Sequence, residues 1–195
     1  MSVMLDLIGS IVISSYVILM GLQLNANIAG SSDATKANLN VQESLVDIVR
    51  SIESDFRKIG YNVADPKTSI AIMQSNHLRF RGDIDNDGAV DSVDWYVGAP
   101  LTTLPNDSIR ILYRQVNNGT PVGTALGVTE FKLAYLTEAG KVATVPSQVW
   151  IIETTLRVES PYTVADQIKG YEAMDYAKGF WRQTRLASRN VKRHG

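Results

Sequence analysis

Five carboxylates crowd into twelve residues of this chain. Asp83, Asp85, Asp87, Asp91 and Asp94 take positions 1, 3, 5, 9 and 12 of the run, with Gly88 at position 6 and the Ala89 carbonyl at position 7. Alternate carboxylates around a sharp glycine turn are how a loop wraps oxygen ligands about Ca²⁺. Asp94 stands where an EF-hand has a longer, bidentate glutamate, and its shorter arm weakens or reshapes such a site. The flanks Phe80-Arg81 and Trp95-Tyr96-Val97 read as strands, unlike the helices of an EF-hand. Two readings stand. One is a Ca²⁺ loop made by Asp83, Asp85, Asp87, Ala89, Asp91 and Asp94, which would stiffen a hairpin. The other is a bare acidic hairpin turning on Asn86-Asp87-Gly88, with its carboxylates solvated. Five carboxylates this close repel one another when no cation intervenes.

A sixth carboxylate matters for a different reason. Asp6 precedes a run, Leu7 to Ser32, without one charged side chain. As a helix this run is about 39 Å long at ~1.5 Å per residue, more than the ~30 Å hydrocarbon core of a bilayer. A carboxylate at the edge of such a surface is costly without a positive partner. The α-amino group of a neighbouring copy would supply one; the simpler role is to favour the helix N-terminus electrostatically. A cleaved secretory signal is disfavoured, since no Lys or Arg occurs before Lys36. A plain membrane anchor and an assembly helix, first held in lipid and later packed on sister helices, both fit the composition.

Other chemistry finds little footing. The chain has no cysteine and two histidines, His77 and His194, far apart in sequence. Spacing assembles no zinc set, no Ser/His/Asp arrangement and no phosphate-cradling glycine loop, so no enzyme activity is expected. His77 reads as a structural residue at the start of a strand. Lys and Arg number 19 against 20 Asp and Glu, a net charge of −1, and nucleic acid is not an expected partner. The end of the chain is basic, with Lys178, Arg182, Arg185, Arg189, Lys192 and Arg193 and no acid after them. It reads as a polar strand face with a loose end, or as a contact to an acidic neighbour.

The elements that must hold these groups follow from hydrophobic period. Val41, Leu45, Ile48, Ile52, Phe56 and Ile59 recur every three or four residues, with Glu43, Asp47, Arg50, Glu53 and Arg57 opposite. Gly60 suits the helix C-cap. A single helix is expected from about residue 3 to 59, bent or melted at the soft joint of residues 25–32. Beyond Gly60 the pattern alternates: residues 78–81, 109–114, 131–135 and 150–158 read as half-buried antiparallel strands. Residues 164–178 fit either a short helix or a loop, and 180–191 reads as a last strand. The chain thus divides into a hydrophobic transmembrane or assembly helix (1–30), an amphipathic helix (31–60) and an antiparallel β-rich globular domain (61–195). The fold class is α+β: a long N-terminal helix, hydrophobic then amphipathic, packed on a C-terminal antiparallel sheet.

This layout resembles the type IV pilin-like superfamily, above all minor pilins and the pseudopilins of type II secretion systems. The stretch Leu45–Tyr61 is similar to the helix end of that group, and Leu78–Tyr96 to its hairpin with an Asp-rich turn. The segments beginning at Gly127 and Ile152 are similar to its later strands, and Trp181–Asn190 to its last. The resemblance implies a structural subunit of a pilus-like or pseudopilus-like filament. Its partners would be copies of itself or related subunits, after residence in an inner membrane with the β-domain exported. It also implies a role for Asp6, which matches the family's glutamate a few residues into the helix that neutralises a neighbour's amino terminus. The family's basic leader, ending in glycine, does not precede the apolar run here. Either the leader lies outside this sequence or the chain reaches the membrane without one. The rival expectation is a singly anchored binding module with a Ca²⁺-stabilised loop, whose helix never leaves the bilayer.

Overall fold

The computed structural model describes residues 2–123, 127–165 and 174–187. One helix, α1 (Ser2–Arg57), runs for 56 residues, about 84 Å at the α-helical rise. It continues unbroken through residues 25–32, so the melted joint expected there from Gly30 and the Asn25/Asn27 pair is absent. Three isolated weak helix formers cost about 1 kcal/mol or less each, too little to interrupt a helix nucleated on both sides. The chain leaves α1 through Gly60, at φ 75°, a left-handed cap that glycine adopts without steric penalty.

The two halves of α1 have opposite surroundings. Every large apolar side chain from Val3 to Ile28 is exposed. The first buried residue is Ala34, and from Val41 the apolar stripe is covered: Val41, Ile48, Ile52, Phe56 and Ile59 are all buried. Covering each side chain of that stripe contributes about 1.5–3 kcal/mol. The amphipathic half therefore belongs to the globular body, whereas the hydrophobic half stands free of it. By length and composition α1 is able to cross a membrane.

The stripe packs on one face of an antiparallel sheet made of β1 (Ile70–Met73), β2 (His77–Gly82), β3 (Asp91–Pro100), β4 (Arg110–Val116), β5 (Val122–Gly123), β6 (Val128–Leu136), β7 (Ile151–Ala165) and β8 (Met174–Ala187). The strand order is β1-β2-β3-β4-β6-β7-β8, with β5 paired to β4 beside the main path. The body is α+β, as the sequence predicts. Period-two alternation sets the inner face. Leu78 and Phe80 of β2, Val93 and Trp95 of β3, and Ile152, Thr154, Leu156 and Val158 of β7 are buried. The helix lies mainly over β7 and β8. The sheet is pinched in the middle, where β4 and β6 pair through Arg110 and Val128. Two meanders thus meet edge to edge, and α1 spans the seam.

Residues 164–178 become clearer at both ends: β7 extends to Ala165 and β8 opens at Met174. The last strand starts six residues earlier than the sequence pattern suggests, because Ala177 and Gly179 are small and carry no apolar signal. Arg189, Lys192 and Arg193 of the basic end lie outside the described residues.

Candidate functional site

The acidic run is the loop between β2 and β3. Strand register places Gly82 opposite Asp91, so the two mouths of the loop face each other. Asn86 (φ 63°) and Gly88 (φ 93°) take the left-handed conformation, which turns the chain sharply enough to fold the carboxylates back. Each of Asp83, Asp85 and Asp91 offers an oxygen, all within 4.8 Å of one another. Three of the six predicted ligand residues are thus brought together.

The other three go elsewhere. Asp87 lies exposed at the tip, where its Oδ1 accepts from the Ala89 N–H at 2.7 Å. Ala89 is exposed beside it. Asp94 is part of β3 and is buried. Its two oxygens accept from Arg79 Nε at 2.8 Å, and His77 Nε2 lies 2.8 Å from Oδ1. The reason is the strand period. Asp91 and Asp94 are three residues apart, so their side chains leave β3 on opposite faces, and a helix following the loop would be needed to return the twelfth position. His77 is accordingly a partner of Asp94, in keeping with a structural role.

Residues that sequence reasoning passed over hold the loop. Asn62, just past α1, donates from Nδ2 to Asp83 Oδ2 at 3.5 Å and to the Gly88 carbonyl at 2.8 Å. The Gly88 N–H also donates to Asp83 Oδ2, at 3.1 Å. Asn117, beyond β4, donates from Nδ2 to Asp91 Oδ1 at 2.6 Å, and the Ile84 N–H donates to Asp91 Oδ2 at 3.0 Å. Lys58 Nζ donates to the Ile84 carbonyl. The Asn117-Asn118 pair marks a turn in the sequence, whereas Asn62 stands alone between Tyr61 and Val63, and neither reveals its carboxylate partner. Asn62 and Asn117 both have positive φ, which asparagine tolerates better than most residues. Gly82 completes the seat. A Cβ there would collide with the Lys58 carbonyl, so only glycine lets the loop mouth press against the end of α1.

A second polar cluster clamps α1 to the sheet. Asp55 is buried. Its Oδ2 accepts from Trp95 Nε1 at 2.8 Å and from Arg114 Nε at 2.6 Å, and its Oδ1 from Arg114 Nη2 at 3.0 Å. Trp95 and Arg114 are cross-strand neighbours in β3 and β4. The hydrogen bond to Asp55, with its charge, holds the Arg114 guanidinium proton more tightly than usual, against the opposing effect of burial. Asp55 falls in step with Ile48, Ile52 and Ile59, so an acid on the apolar stripe was the legible sign of a buried partner.

Asp6 lies on the exposed N-terminal half of α1 and has no ion-pair partner among the described residues. Comparison with family models, with curated proteins and with solved structures returns no match to this chain.

Proposed function

We propose that the protein is a structural, non-catalytic subunit of a pilus-like or pseudopilus-like filament. One observation carries this reading: a single unbroken helix has its apolar stripe covered by the body from Ala34 onward and leaves an uncovered apolar rod, Val3 to Ile28, beyond it. A plain anchor requires only a span joined to the body by any linker. Here the span and the buried half are one continuous helix, which fixes the direction of the rod relative to the β-domain. That continuity suits subunits that repeat at a set angle.

The energetics favour exchange between two hosts. In an inner membrane, lipid covers the rod at no cost. A neighbouring rod is as apolar as lipid, so transfer into a bundle is close to neutral while both remain in the bilayer. Once the rod leaves lipid, burial against sister rods contributes about 25 cal/mol per Å². A few hundred Å² per neighbour then gives several kcal/mol before association costs. Asp6 sets the stagger by meeting a neighbour's terminal amine, and the exported β-domains form the outer surface. Partners are copies of this chain or related subunits.

Replacement of Asp6 by Ala tests the proposal. The variant should insert in membranes as well as the parent yet fail to enter filaments. Parental incorporation would favour the rival reading, a singly anchored binding module whose helix stays in the bilayer.

A further inference from the structure

We propose that Asp83, Asp85 and Asp91 form a Ca²⁺ site that ties the loop between β2 and β3 to the end of α1. Acidic clusters on hairpins are common without a cation, so the argument rests on the state of Asp83. This residue is 3 % exposed, and its Oδ1 is shielded from solvent with no hydrogen-bond donor. Its other oxygen is occupied by Gly88 and Asn62. A buried carboxylate oxygen left without a donor carries the full cost of its lost hydration. Asp85 and Asp91 each bring an oxygen within 4.8 Å of one of Asp83; among the described residues no Lys or Arg forms an ion pair with the three, and Arg114 acts on Asp91 through its charge alone. The adjacent positive groups are engaged, Lys58 on the Ile84 carbonyl and Arg114 on Asp55. A divalent cation supplies what the site lacks.

The donor set selects the ion. All donors are hard carboxylate oxygens, which excludes a preference for zinc or copper. The irregular loop suits the variable coordination that Ca²⁺ accepts, whereas Mg²⁺ demands a near-ideal octahedron. The ligand set differs from an EF-hand, because Asp94 is committed to Arg79 on the far face of β3. Water would complete the shell. This site stands apart from the assembly reading, since single chains in micelles suffice to test it.

The experiment uses the full chain in detergent micelles, stripped with EGTA. It is titrated calorimetrically with CaCl₂ and MgCl₂ and then melted with each. The expected result is one Ca²⁺ per chain. At a hundredfold excess over Kd, the melting temperature rises by about 5–10 °C, with a smaller rise for Mg²⁺. Asp83→Asn should weaken binding about tenfold or more, as lost ligand charge does. Should that buried substitution prevent folding, Asp85→Asn changes an exposed member of the cluster and should weaken binding similarly. Absence of heat and of a melting shift in the parent chain overturns the proposal. So does parental affinity in Asp85→Asn, or an equal rise with Mg²⁺.

Discussion

Asp55→Leu is the substitution whose cost the structure specifies best. It removes three hydrogen bonds at one buried carboxylate, two from Arg114 and one from Trp95. What remains is a guanidinium without its counter-charge and an indole N–H without an acceptor. Breaking a buried pair from one side costs about 3–5 kcal/mol. Arg114 keeps 28 % of its side chain exposed, so water relieves part of that cost and about 3 kcal/mol is the expected loss. For a body of this size that lowers the melting temperature by roughly 6–12 °C. Urea unfolding followed by tryptophan fluorescence reads it as a lower midpoint at unchanged slope. The decisive comparison is the double variant Asp55→Leu/Arg114→Met. Replacing both partners by apolar residues is often neutral, so most of the lost stability should return. A loss below about 1 kcal/mol in the single variant, or additive losses in the double, would refute the clamp between α1 and the sheet.

Three further outcomes follow from other parts of the molecule. Ile52→Ala empties a fully buried position on the stripe and should cost about 2–5 kcal/mol, measured by the same urea titration; Leu19→Ala, on the exposed rod, should leave that stability unchanged. Gly82→Ala should unseat the loop, because its Cβ meets the Lys58 carbonyl, and limited proteolysis should then cut between β2 and β3 faster than in the parent. Burial raises the ionisation of Tyr135 well above the ordinary phenol range. The neutral phenol is therefore favoured in the folded state, and its contribution is complete below about pH 10. That contribution falls by up to ~1.4 kcal/mol per pH unit as the pH climbs toward the folded-state value. Tyr135→Phe should flatten this alkaline loss in melting curves taken from pH 9 to 11; an unchanged slope would refute the assignment.

Much of this architecture was legible because single periods ran long. The 3–4 spacing from Val41 to Ile59 predicts a buried stripe, and Val41, Ile48, Ile52, Phe56 and Ile59 are buried. The alternation at residues 150–158 predicts the inner face of β7. Short or weakly patterned elements escaped: β1 (Ile70–Met73) has four residues and β5 has two, too few to establish a period. The acidic loop was half legible. Its spacing singled out Asp83, Asp85 and Asp91, whose oxygens the fold gathers within 4.8 Å of one another. A linear EF-hand template also enrolled Asp94, since it carries no information about the face from which a strand presents its side chains. Asn62 and Asn117, which orient the carboxylates from 21 and 26 residues away, belong to tertiary structure and were out of reach. Melting at residues 25–32 was expected for the opposite reason: local propensity was read, and the cooperativity of a long helix outweighed it.

In the proposed assembly the rod from Val3 to Ile28 is covered by rods of neighbouring copies. Cryo-electron microscopy of native material sheared from producing cells is the sharpest test. Fibres or short stalks with a core of closely packed helices and the sheets displayed outside are the expected result. Only single chains, each with its rod in lipid or detergent, would contradict it.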